Sequence, residues 1–242
     1  TQKVIIYHNI LYFIQCKFLL SDIILKNNIN FFFHDYNMTC NKHIMGLNNF
    51  LDKLPIYYFI IPYILHFIFT DILADSAPII EHHPPLYDVI ISRLPDMSQY
   101  SYIVNILVGI IFTVLIRHLI ITKDLRIVKS YFKYLAIVVL LRSITTQVTL
   151  IPSQTVCSVP RGIYRYINGH CIDKIFSGHT SATLLIVLLY WKYNVVTKNQ
   201  LHILSVLQVM TALSLLATKQ HYSIDVVLAY MITFGVYFLF DL

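Results

Sequence analysis

From Pro55 onward the chain alternates between long apolar runs and short polar ones. A helix that crosses a bilayer needs about 20 mainly apolar residues. Six runs approach that length, over residues 55–72, 102–121, 134–151, 176–196, 201–218 and 222–240. The expected fold class is therefore an all-α integral membrane protein, a bundle of six transmembrane helices over residues 54–242. Residues 1–53 are expected to form a cytosolic segment. Its apolar run from Val4 to Leu25 is broken by His8, Lys17 and Asp22, which suits an extra span or a surface helix. It lacks the clean apolar core of a cleavable signal peptide. No internal repeat or low-complexity linker is visible.

Composition agrees with the pattern. Hydrophobic residues make up 57% of the chain and charged residues 12%, against about 25% charged in a soluble domain. The mean hydropathy is +0.66. The net charge is +6, but the basic residues cluster between apolar runs. Membrane orientation and acidic headgroups explain that better than nucleic acid does.

Lys and Arg near spans are retained on the cytosolic side. Arg117 near the end of the second run, with Lys123, Arg126, Lys129 and Lys133 between it and the third, is opposed by Asp124 alone. Lys192 lies near the end of the fourth run and Lys198 just before the fifth, and Lys42 and Lys53 precede the first. The opposite face receives the acidic stretch from Asp75 to Asp96, the segment from Pro152 to Ser177 and the turn at Lys219. Arg161, Arg165, Lys174 and Lys219 go against the rule there, and phosphate binding would account for them. With six spans the fourth and sixth helices enter from one side, so His179 and His221 share the non-cytosolic face.

His221 and Asp225 are spaced i, i+4, on one face of a helix and within reach of each other. A carboxylate at one ring nitrogen fixes the tautomer and leaves the other to attack or take a proton. His179 follows Ser177-Gly178. Small residues at a helix start let the backbone approach an anion, and His179 is placed to protonate a leaving oxygen. Either string alone is weak; both at one membrane face are the signal. Arg142, inside the third run, is a costly charge that must face a cavity or partner. It suits phosphate binding or an ion pair with Asp71 or Asp75.

Other candidates are weaker. Glu81, His82, His83 and Asp88 are metal-ligand types at a spacing that fits no standard zinc pattern, and no metal or other cofactor is expected. Cys157 and Cys171 share one inter-helix segment, suited either to a disulfide or to two separate thiols. The sequon Asn37-Met38-Thr39 falls in the cytosolic segment, where it would not be glycosylated.

Four blocks resemble those of the sphingomyelin synthase family, a branch of the lipid phosphate phosphatase superfamily. They are Arg93-Leu-Pro-Asp96, the Arg-led segment Arg142 to Pro152, the block Cys171 to Thr180, and the block His221 to Tyr230. The third block carries Ile172 where the family usually has Gly. The resemblance implies six spans, a lipid phosphate phosphatase-like core and a site on the lumenal or extracellular face of the Golgi or plasma membrane. It implies a triad of His179, His221 and Asp225. The implied reaction moves a phosphoalcohol headgroup, phosphocholine first, from a glycerophospholipid to the primary hydroxyl of ceramide, leaving diacylglycerol. Ser177, Gly178, Arg142 and Lys219 are the expected substrate-binding residues. The expected partners are the two lipids and the bilayer, with no nucleic acid.

One rival is a lipid phosphate phosphatase, with water as acceptor. That superfamily usually carries a Lys-led block ending in Arg-Pro and a Ser-Arg pair before the second His. This chain has no Arg-Pro, and its Ser92-Arg93 lies far from His221. A second rival is a non-enzymatic lipid-binding membrane protein, disfavoured by the retained triad. Tyr164, Tyr166 and Trp191 suit a cation–π box for choline or ordinary interfacial aromatics. Ethanolamine and inositol donors stay open.

Overall fold

The computed structural model describes residues 46, 51–54, 56–74, 84–149, 151–154 and 175–241. All regular structure among them is helical. The chain divides into two compact units, Thr1–Leu54 with Phe238–Leu242, and Pro55–Tyr237. In the first, residues 51–53 make one helical turn, closed by the Leu54 N–H on the Leu51 carbonyl at 3.1 Å.

The second unit holds the helices that position the site, the last of them as far as Tyr237. A 3-10 turn, Ile56–Ile60, leads into α1, Ile61–Ala74. Then come α2, Tyr102–Thr122, and α3, Leu125–Val148. After these follow α4, Gly178–Tyr193, α5, Lys198–Ala217, and α6, Ser223–Asp241. Each coincides with one of the six apolar runs. Three segments, Ser98–Thr122, Lys198–Ala217 and Ser223–Phe240, are long and apolar enough to cross a membrane. The helix α4 has 16 residues, about 24 Å of rise, and α3 carries Arg126, Lys129, Lys133 and Arg142.

The ends of α3 differ from the apolar run that marks it. It begins at Leu125 because Asp124 caps it, its carboxylate accepting the Arg126 N–H at 2.9 Å. Apolar runs register hydropathy, not caps, so nine further residues of the basic stretch are helical. Lys133, expected in a loop, is one of them. Its side chain is buried, its ammonium 5.0 Å from the centre of the Tyr134 ring. The other end stops at Val148, with Thr149 extended, ahead of Pro152. Arg142 thus lies six residues from the helix end, about 9 Å, where a helix running to Pro152 would put it at roughly 15 Å.

At the centre stands α4, which packs against α2, α3 and α5, while α1 packs on α3 and α5 on α2. Nearly every side chain from Thr180 to Tyr190 is buried, as expected of a helix apolar on all sides. Buried polar groups tie the helices together. The Tyr190 hydroxyl donates to the Val114 carbonyl at 3.0 Å, and that of Tyr230 to the Gln208 amide oxygen at 2.7 Å. His66 Nδ1 and the Ser143 hydroxyl lie 3.1 Å apart between α1 and α3. In an apolar setting such bonds avoid the desolvation cost of unmet polar groups.

Left-handed residues set three turns between helices, the first at Lys123, which ends α2 with φ 54°. Asn194 ends α4 with φ 50°. Lys219 follows α5 with φ 56°. Its N–H donates to the Leu216 carbonyl, and the Gln220 N–H to the Leu215 carbonyl, both at 3.0 Å. This is the doubled closure of a Schellman motif, with Lys where glycine is usual. It turns the chain directly into His221.

Candidate active site

Two helix starts meet at one end of the bundle. Ser177 caps α4, its hydroxyl accepting the Thr180 N–H at 3.3 Å. Its own N–H donates to the carbonyl of Asp225, in the first turn of α6, at 3.2 Å. The preceding Phe176 is fully buried with φ 24°, a strained backbone held in place by its packed ring. Gly178 and His179 are therefore the first and second residues of a helix docked on the turn that carries His221 and Asp225.

His221 lies on the turn two residues ahead of α6, not on the helix as the i, i+4 spacing predicts, and it still faces Asp225 in the first turn. His221 Nδ1 lies 3.6 Å from Asp225 Oδ2. That is within ion-pair reach and long for a hydrogen bond. The Asp225 side chain is wholly buried. Oδ2 also accepts the Tyr222 N–H at 3.0 Å, and Oδ1 has no partner among the described residues. A buried carboxylate so sparsely bonded is costly to the fold.

Arg142 reaches the same place from α3. Its guanidinium lies directly over Gly178, filling the space where a Cβ would stand. Glycine is needed here for that close approach. A helix N-terminus carries partial positive charge and attracts anions, and Arg142 adds a full charge with planar donors. Three of the expected binding residues, Arg142, Ser177 and Gly178, thus converge.

Lys219 is engaged differently. Its ammonium lies 2.5 Å from Asp96 Oδ2, at the exposed edge. The hydrogen bond from Lys219, with that from the Ser98 N–H, holds the Asp96 carboxyl down at about 2. The segment after residue 84 is stitched to this end at further points. The Met97 N–H donates to the Ala217 carbonyl at 2.9 Å, and the Gln220 amide to the Ser101 carbonyl at 3.1 Å. The Tyr222 hydroxyl accepts the Leu86 N–H at 3.1 Å and donates to the Pro152 carbonyl at 2.9 Å.

Asp88, grouped by sequence with metal-ligand types, spends both oxygens on amides and a hydroxyl. Oδ2 accepts the Ser223 N–H at 2.7 Å and the Ser223 hydroxyl at 2.8 Å, and Oδ1 accepts the Ile90 and Ile91 N–H groups. Burial pushes its carboxyl up, but these bonds outweigh it and hold it below the usual range. No cluster of three metal-ligating side chains occurs among the described residues. Glu81, His82, His83, Arg161, Arg165, Cys157 and Cys171 lie outside the described residues, as does the sequon. Sequence reasoning missed the roles of Asp88 and Tyr222, because no local motif marks them.

Among curated proteins, none matches this chain. Residues 170–242, the stretch that holds His179, His221 and Asp225, match the family described as PAP2 superfamily C-terminal, which supports lipid-phosphate chemistry for this end of the molecule.

Proposed function

We propose that the protein is a membrane phosphotransferase that moves a phosphoalcohol headgroup, phosphocholine first, from a glycerophospholipid to the primary hydroxyl of ceramide. The observation that supports it is the docking of the α4 start on the α6 turn by the Ser177–Asp225 bond. In this reading it brings His221 as nucleophile and Asp225 as its orienting carboxylate near His179 as acid and Arg142 as a cationic anion seat. Such a set suits a phosphodiester at a membrane surface.

In this mechanism His221 Nε2 attacks the donor phosphorus while Asp225 stabilises the imidazolium that forms. The bond from phosphorus to the diacylglycerol oxygen breaks, and His179 gives that oxygen its proton. His179 then takes the proton of the ceramide hydroxyl, whose oxygen attacks the phosphohistidine and frees His221. Arg142 and the start of α4 offset charge on the non-bridging oxygens. An apolar cavity of about 310 Å³ between α4, α5 and α6, lined from Leu184 to Trp191, offers room for part of an acyl chain. Leu184 is five residues beyond His179, about 7.5 Å along the helix.

Headgroup transfer in defined vesicles tests this reading. Fluorescent ceramide is supplied with phosphatidylcholine, phosphatidylethanolamine or phosphatidylinositol, using the wild type and His221→Ala. One phosphosphingolipid, lost in the variant, is expected. Phosphate released from phosphatidic acid, with no phosphosphingolipid from any donor, would sink the transferase and leave the hydrolase reading.

A further inference from the structure

The turn that carries His221 is gripped from both sides by acids. Asp225 Oδ2 accepts the N–H of Tyr222, and Asp88 Oδ2 accepts both the N–H and the hydroxyl of Ser223. The helix α6 enters through Tyr222, whose carbonyl accepts the N–H groups of Asp225 and Val226. Tyr222 stands at the cap position and has no carboxylate, amide or short hydroxyl with which to meet the first-turn amides. Elsewhere in this chain Asp124, Ser177 and Thr197 do so locally. Here an acid 135 positions away takes the part.

We propose that Asp88 is a positioning residue: through Ser223 it holds the first turn of α6, and with it the His221–Asp225 pair, in the reactive orientation. This rests on His221 and Asp225 being the reacting groups. Asp88 is itself fixed. Its other oxygen takes the Ile90 and Ile91 amides, and the Tyr222 hydroxyl takes the Leu86 amide two residues before it. A rigid acceptor on one strap sets the register of the helix start on the other. Reacting groups displaced by about 1 Å can lose on the order of 100-fold in rate. The 3.6 Å between His221 and Asp225 leaves a contact that a small rotation of the turn would close or open.

Two variants cut the link from its two sides. In Asp88→Asn the amide oxygen can keep the Ile90 and Ile91 bonds while the amide NH₂ opposes the Ser223 N–H, donor against donor. In Ser223→Pro both donors vanish, and proline is tolerated at the first residue of a helix. The full chain is prepared in micelles with ¹⁵N-labelled histidine, the His221 signals being assigned by their loss in His221→Ala. The expected result in each variant is a shifted His221 Nδ1 resonance. Turnover falls roughly 10- to 100-fold with KM within about two-fold. The double variant is no worse than the worse single one, since both remove one interaction. Wild-type His221 signals and turnover in either folded variant overturn the proposal, as do effects that multiply in the double variant. The resonance is read without any lipid. A shifted signal in a protein whose wild type transfers no headgroup therefore upholds the positioning role and sinks the transferase alone.

Discussion

The N–H of Ser177 donates to the backbone carbonyl of Asp225 at 3.2 Å, joining two segments nearly fifty residues apart. Because the carbonyl is the acceptor, Asp225 can lose its charge while the two helix starts stay docked. Asp225→Asn is therefore expected to lower turnover on the order of 10³–10⁴-fold. The Tyr222 N–H keeps an acceptor in the new amide oxygen, and a buried charge with one unpartnered oxygen disappears. Thermal unfolding is expected at or above the wild-type temperature. A marked fall in that temperature would show that Asp225 is there to hold the fold.

Gly178 yields a second expectation. A methyl group there meets the end of the Arg142 side chain, not backbone, so the guanidinium swings away and the helix stays. Gly178→Ala should keep its unfolding temperature and lose activity roughly 10²-fold, the scale of removing one oxyanion donor. Arg142→Ala should lose a similar factor. The double variant should lose little more than either, because both empty the same seat. Full activity in Gly178→Ala would place the anion elsewhere.

Much of this was legible in the chain. The apolar runs mark where six helices lie among the described residues, and three of these segments are long and apolar enough to cross a membrane. The string Ser177-Gly178-His179 is local, so its cap follows from spacing, and the approach of His221 to Asp225 spans only four positions. What was hidden depends on long-range partners. Asp88 and Ser223 are 135 positions apart, Asp96 and Lys219 123, and Tyr222 and Pro152 70. No periodicity connects such pairs. Arg142 lies nearer its helix end than the apolar run alone implies, because Thr149 turns extended before that run ends.

Stability should be separable from the site at the far end of α5. Thr197 and Gln200 form a capping box, each side chain meeting the other's backbone N–H. Thr197→Ala removes one of these bonds and is expected to cost about 1 kcal/mol. The box sits one 20-residue helix away from the Lys219 turn, about 30 Å. Turnover per folded molecule should stay at the wild-type value. Denaturant unfolding beside an activity assay checks both, and a lost activity would show that the α5 register reaches the histidines.

The pair of Asp96 and Lys219 carries a pH signature. The Lys219 ammonium, and after it the Ser98 N–H, lower the Asp96 carboxyl from 3.8 to about 2. The folded state then binds fewer protons than the unfolded one between those values, so stability rises with pH across that window. The contribution is complete above about pH 4 and is lost as pH falls through about 2. Both side chains are partly exposed, so salt should weaken it as well. Unfolding temperatures of the wild type and Asp96→Asn, in micelles from pH 7 down to pH 2, give the difference directly. It is expected to be constant to pH 5, to shrink from pH 4 and to vanish near pH 2. A difference unchanged at pH 2 would mean that the carboxylate acts through its shape and not its charge.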